Sequence, residues 1–465
     1  MSELPADWAA TTLGEVADFV MGQAPPGAAC NFDGVGTPFV KAGEFGAERP
    51  AIREWTTKPL KMACSTDVLI CVVGATCGKL NLGADCAIGR SVAAIRPNPG
   101  LEQHYLYALL KPLVLSLRHG ATGSAQGVIS KDRLAEIDVP LPPLAEQRRI
   151  VAKLDALTAR TARARADLDR IPALAARYKQ AVLSRAFSGE LTADWRAAQP
   201  ALEPISPRSE NDIRPKYRLG GAAPDFAPPY AVPETWRWLR LPQLGDMDRG
   251  KSRHRPRDDA RLFDGPFPFV QTGEVRAADR YLTSYSKTYS AFGLEQSKLW
   301  PIGTVCITIA ANIAETAILG IEACFPDSVV GFNADAARCL PDYVEYFIRT
   351  AKADLEQFAP ATAQKNINLE VLGSIRLPVA SLHEQAEIVR RIDRAFAEID
   401  RLTAEAAAAR RLLDRLDQAV LAKAFRGELV PQDPADEPAS VLLDRIRAER
   451  AAAPKAKRGR RPALA

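Results

Sequence analysis

The chain has 465 residues, of which 47% are hydrophobic and 25% charged, and a formal net charge of +5. That balance excludes a wholly disordered or fibrous polypeptide, and the length accommodates about two to four domains with cores of their own. The mild positive charge permits a polyanionic partner without demanding one.

In chain order, MSELPADWAA has no positively charged stretch ahead of an apolar core, so no secretory leader is expected. Residues 1–143 read as a first globular domain. Short runs such as TPFVKAGEF and STDVLICVV, rich in β-branched residues and divided by Gly and Pro, predict strands and turns. The run DVLICVVGATCG is too short to cross a bilayer and reads as a buried strand. A proline-flanked strand, IDVPLPPL, closes the domain, and a long helix is expected over 144–190. Residues 191–235 carry much Pro and Gly and no apolar period, which predicts an extended linker. A second globular domain, 236–379, repeats the strand-like runs as FPFVQTGEV and IGTVCITIA. Its longest apolar run, TVCITIAANIAETAILG, is broken by Asn312 and Glu315. A second long helix is expected over 380–428. The remainder, 429–465, ends in KAKRGRRPALA and reads as a basic, disordered tail able to touch nucleic acid without sequence preference. The eight cysteines form no Cys-x-x-Cys pair and no zinc spacing, so reduced thiols in a cytoplasmic protein are expected.

The two halves repeat. LAEQRRIVAKLDAL and QAVLSRAFSGEL bound the first long helix, LHEQAEIVRRIDRA and QAVLAKAFRGEL the second, and matched residues such as Glu146 and Glu384 differ by 238 in number. Trp8 matches Trp236, Phe39 matches Phe269, and Gly43-Glu44 matches Gly273-Glu274. A repeat of this size implies two similar structural units. Ile150, Leu154, Leu157, Thr161, Ala164, Leu168, Ile171, Ala175, Tyr178 and Val182 alternate steps of four and three. Ile388, Ile392, Ala395, Ile399, Leu402, Ala406, Ala409, Leu413, Leu416 and Val420 repeat that frame. Such a stripe predicts a coiled coil, most simply antiparallel, roughly 50 Å long. Pro172 predicts a kink or break in the first helix. The expected class is therefore α+β: two mixed α/β domains separated and joined by two long antiparallel coiled-coil helices, with a pseudo-twofold internal repeat.

Catalytic motifs fail on inspection. GATCGKL at 74–80 is one residue short of a phosphate-binding loop and has Leu80 where Ser or Thr would hold magnesium. FDGVG at 32–36 leads into a strand rather than a helix and is matched by FDGPFPF, so both read as turns. APPY at 227–230 lacks the side chain that an adenine methyltransferase needs at its first position. Four scattered histidines support no triad, and no metal site is expected.

Two globular regions each followed by a long helix, the PLPPLAEQ and LPVASLHEQ openings, and the AFSGEL and AFRGEL exits together resemble the specificity subunit of type I restriction–modification systems. The resemblance covers residues 1–430, with a looser second opening at Val379-Ala380. It implies a non-catalytic protein in which each globular region is a target recognition domain for one half of a split double-stranded DNA site. The helices would set the gap and bind two modification subunits. It further implies that S-adenosylmethionine, ATP and Mg2+ are used by those and by restriction (helicase-nuclease) subunits, none being bound by this chain. The competing expectation is a non-enzymatic, duplicated coiled-coil adaptor that binds proteins rather than specific DNA.

Residues suited to DNA follow from base and phosphate chemistry. RGKSRHRPR at 249–257 places Lys251, Arg253, Arg255 and Arg257 on a Gly/Pro-containing loop, and arginine suits the guanine O6/N7 edge. Gln271, Thr272, Gln364, Lys365 and Asn366 come next, since amides can pair with adenine. Their first-half counterparts are Gln23, Lys41, Ser124, Gln126 and Lys131. GQAPPGAACN shares little with RGKSRHRPR, so the half-sites should differ. Glu146, Gln147, Arg148, Glu384 and Gln385 stand off the helix seam and are candidate contacts to modification subunits, unless the Glu and Gln simply support the helix starts.

Overall fold

The computed structural model describes residues 4–119, 128–199, 201–217, 230–310, 313–357 and 369–452. Two compact units emerge, Met1–Asp169 with Ala407–Ala465, and Arg170–Ala406. Each contains one globular region and a half of each long helix.

In the first unit, an antiparallel sheet runs in the order Ala17–Met21, Val92–Pro97, Val68–Cys71 and Leu80–Leu82. A five-stranded sheet runs Cys30–Asn31, Glu54–Thr56, Thr37–Val40, Cys86–Ile88 and Met62–Ala63, with Thr37–Val40 parallel to Cys86–Ile88. The unbroken apolar run at Val68–Cys71 has a physical reason. Val68, Ile70 and Val72 point into one core, while Leu69 and Cys71 point into a second, so the strand is buried on both faces.

The second unit uses the same device. Its five-stranded sheet runs Gly245–Arg249, Val329–Ala334, Val305–Thr308, Thr316–Leu319 and Tyr281–Leu282. Val305 and Ile307 enter one core and Cys306 another. A separate two-stranded ribbon pairs Phe263–Phe269 with Lys287–Tyr289. In each unit a helix covers the sheet, Gln103–His119 in the first and Pro341–Gln357 in the second. A short strand pair joins the beginning of each globular region to its end, Ala9–Thr12 with Asp138–Leu141 and Arg237–Arg240 with Arg376–Val379. The long helix starts where that pair stops, which fixes its departure from the domain.

The long helices are Leu144–Phe187 and Leu382–Ala424. In the first unit Arg165 bridges Asp414 and Asp417, and Arg410 meets Asp169. In the second Lys179 bridges Asp400, while Arg391 bridges Asp194 just past the end of the first helix. Rising numbers on one helix meet falling numbers on the other in both units, so the expected antiparallel pairing holds. Ile150, Leu154, Thr161, Val182, Ile388, Ile392, Ile399 and Ala406 of the expected stripe are buried. Tyr178, Leu402 and Leu416 are instead 62%, 49% and 47% exposed. A straight α-helix drifts from a 3.5-residue stripe by about 20° per heptad, which turns such positions outward. The first helix is also continuous through Pro172, so no break occurs there.

Two segments differ from expectation. The 191–235 stretch is more than a spacer: Ala193–Ala197 is helical, and Ile213 and Tyr217 are buried in the core of the second unit. Within the expected disordered tail, Ala439–Ala452 is a helix that buries Ala439, Leu442, Leu443 and Ile446 in the first core. Basic composition farther along masks this apolar set, which lies on one helical face at steps of three and four.

Candidate nucleic-acid interface

The second unit gathers three of the expected DNA-facing residues around one cleft. Arg257, Gln271 and Thr272 line an open depression of about 820 Å³, together with Asp264, Tyr285 and Lys287. Gln271 reaches it because the ribbon strand ends at Phe269 and a short helix, Thr272–Ala277, begins at once. The Gln271 backbone N–H donates to Glu274 Oε2 at 3.1 Å, which caps that helix and leaves the amide side chain exposed.

The basic loop is shaped by internal bonds. His254 Nε2 lies 2.7 Å from Asp259 Oδ2, and Arg261 bridges the same carboxylate. Those two partners, with the backbone N–H of Arg261, hold the Asp259 carboxyl well below its ordinary range. Ser297 Oγ donates to the Lys251 carbonyl and Arg253 N–H to the Gln296 carbonyl. With its base so anchored, the loop exposes Arg253, Arg255 and Arg257, while Lys251 is half-buried. Arg255 turns its guanidinium onto the Ser252 and His254 carbonyls, and Arg257 contacts Asp327 at 3.3 Å, leaving Arg253 the least committed arginine.

The first unit repeats the scaffold with different chemistry. Lys41 stands where the second has Gln271, and its N–H likewise donates to Glu44 Oε2, at 2.9 Å. Its ammonium, however, is paired with the buried carboxylate of Glu54, which raises the lysine's pKa. Gln23 and Lys131 are exposed. Ser124, Gln126, Gln364, Lys365 and Asn366 lie outside the described residues. The FDG repeat also diverges. In the first copy it is a turn, with Phe32 76% exposed and Asn31 bonding both Asp33 and Val35. In the second it lies inside the bulged ribbon strand, so the expected turn there is corrected. Asp264 was masked in the sequence by that turn-like motif, while the place of Lys287 at the cleft depends on the pairing of the two ribbon strands.

The helix-start residues are corrected more sharply. Glu146, Gln147, Glu384 and Gln385 are all essentially buried and bonded within the chain. Trp8 Nε1 donates to Glu146 Oε2 at 3.0 Å, and Gln432 donates to its other oxygen. Desolvation at this site raises the Glu146 pKa. Trp236 Nε1 donates to Glu384 Oε2 at 2.9 Å, with Thr192 and Arg196 on the other oxygen. Gln147 Nε2 bonds the Gly100 and Pro142 carbonyls, while Gln385 Nε2 bonds those of Arg338 and Ala380. In this chain all four side chains are spent on bonds that support the helix starts. Arg148 alone of that set is exposed.

Among the described residues no cluster of His, Cys, Asp or Glu could hold a metal ion, and no helix is long and apolar enough to cross a membrane. The repeated scaffold matches a known family. The type I restriction modification DNA specificity domain covers residues 5–172 and again 233–408. The chain belongs to that family. It is 28% identical to the EcoDI specificity subunit of Escherichia coli over 97% of both chains. It is 30% identical to the E. coli EcoBI specificity subunit over 76% of this chain and 72% of the relative. The solved HsdS subunit from Thermoanaerobacter tengcongensis shares the fold, with a TM-score of 0.62 at 20% identity over 92% of this chain and 98% of that one. As a member of the family, the chain carries DNA specificity and no catalysis of its own.

Proposed function

We propose that this specificity-family chain addresses a cytoplasmic type I restriction–modification complex to an asymmetric, bipartite duplex site. Each globular region reads one half-site, and the long helices set the gap. The observation that carries the reading is the doubled specificity domain with unlike chemistry at one scaffold position. Gln271 presents an exposed amide at the cleft, whereas Lys41 is committed to Glu54. Equal scaffolds with unequal side chains suit two different half-sites. The Lys/Arg-rich loop at 249–257 supplies phosphate neutralisation beside those base-edge candidates.

Two modification subunits would bind the exposed faces of the helices, bringing S-adenosylmethionine, and restriction subunits would add ATP- and Mg2+-dependent cleavage. Support for a paired partner comes from matched exposed residues. Leu174 and Tyr178 are 55% and 62% exposed, and Leu412 and Leu416, at the same offset of 238 as the helix repeat, are 60% and 47% exposed. Long-read methylome sequencing of a host with and without this gene, beside a modification-subunit gene, tests the reading. The expected result is adenine methylation at one split, non-palindromic motif that vanishes with the gene; an unchanged methylome refutes it.

A further inference from the structure

The ribbon of Phe263–Phe269 and Lys287–Tyr289 carries two side chains whose placement is otherwise unexplained. The register slips between Phe263 and Phe267, both of which face Tyr289, so residues 264–266 form a bulge. Within it Asp264 has φ +60°, a left-handed conformation uncommon for a residue with a side chain. Gly265 is required beside it, because a Cβ there would come within 2.4 Å of Ser290 Cα. Bulges re-aim side chains, and a non-glycine residue at positive φ costs free energy and persists only where its surroundings impose it. Here the result is an exposed carboxylate on the rim of the cleft. Lys287, on the partner strand, is exposed at the same cleft, with its ammonium 5.5 Å from the centre of the Phe263 ring.

A groove built only for phosphates would present donors and cations. A carboxylate there repels the backbone, but it accepts well from an exocyclic amino group. An acceptor and a donor on one two-stranded ribbon match the major-groove edge of a C·G pair, with the cytosine N4 amino group facing Asp264 and guanine O6/N7 facing Lys287. The major groove is wide enough to admit such a ribbon. We propose that Asp264 and Lys287 are specificity-determining residues that read one C·G pair in the second half-site. This rests on the reading of the chain as a DNA specificity subunit.

The test uses the complex with its modification subunits and duplexes based on the wild-type methylated motif, each second-half position changed in turn. Asp264→Gly accepts positive φ freely and removes only the carboxylate; Asp264→Asn is the second variant, since Asn tolerates that backbone. Lys287→Gln removes the cation. Asp264→Gly and Lys287→Gln should each relax discrimination at a single C·G position by roughly tenfold or more, leaving first-half discrimination intact. Uniform weakening across all sequences, with a salt dependence reduced by about one ion, would place Lys287 on a phosphate and overturn its assignment. Unchanged discrimination in Asp264→Gly, with Asp264→Asn keeping one acceptor as the control for folding, would overturn the assignment of Asp264. A wild-type complex with no sequence preference would instead sink the underlying function.

Discussion

Glu384 accepts from three donors at once, the Trp236 indole, the Thr192 hydroxyl and the Arg196 guanidinium, and is fully buried. Removing a buried acceptor strands every donor it served, and breaking such a charge pair typically costs about 3–5 kcal/mol. Glu384→Ala is therefore expected to destabilise the second unit by about that amount, read as a lower urea midpoint by tryptophan fluorescence. Glu146→Gln, which keeps an acceptor for one of two neutral donors, should cost less, about 1–3 kcal/mol. If both variants unfold like the parent, these glutamates are not structural ties. The sequence displayed all the parts, two tryptophans and two glutamates in repeat register. It could not display their meeting, because Trp8 and Glu146 are 138 residues apart and only the closing strand pair brings them together. An acidic residue at the head of an amphipathic helix looks solvent-facing by period alone, and tertiary burial overrides that pattern.

At the scale of elements, strands and long helices were legible because their period is local. The apolar runs at 68–71 and 305–308 announce strands buried on both faces, and the 3.5-residue stripe announces paired helices. The bulge at Asp264 and the helix at Ala439–Ala452 were not, since both depend on what lies across the fold. The stripe also has an outer counterpart. Leu174 with Tyr178, and Leu412 with Leu416, are i, i+4 pairs that place large apolar surface in water at repeated positions on both helices. Single exposed apolar residues need no explanation, but the same pair twice in register suits one partner present in two copies. Leu174→Asp should then release one modification subunit and Leu174→Asp with Leu412→Asp both, measured as stoichiometry by native mass spectrometry. Full occupancy in the double variant would move the docking surface elsewhere.

At the scale of the whole molecule, duplication solves a problem that one domain cannot. A single recognition domain reads a few base pairs, whereas two copies on one chain square the selectivity without a second gene, provided their separation is set by something stiff. A helix rises 1.5 Å per residue. One added heptad in each long helix, between Asp169 and Arg170 and between Ala406 and Ala407, adds about 10 Å to the rods and keeps the apolar frame in register. At 3.4 Å per base pair that corresponds to about three base pairs. If the helices are the ruler, the methylated motif should keep both half-sites and gain roughly three unspecified pairs between them. A motif with its original gap would mean that the spacing is imposed by the partner subunits. A frame-breaking insertion of five residues in each helix serves as the contrast: it rotates the apolar stripe off its partner and should abolish methylation without producing any new gap.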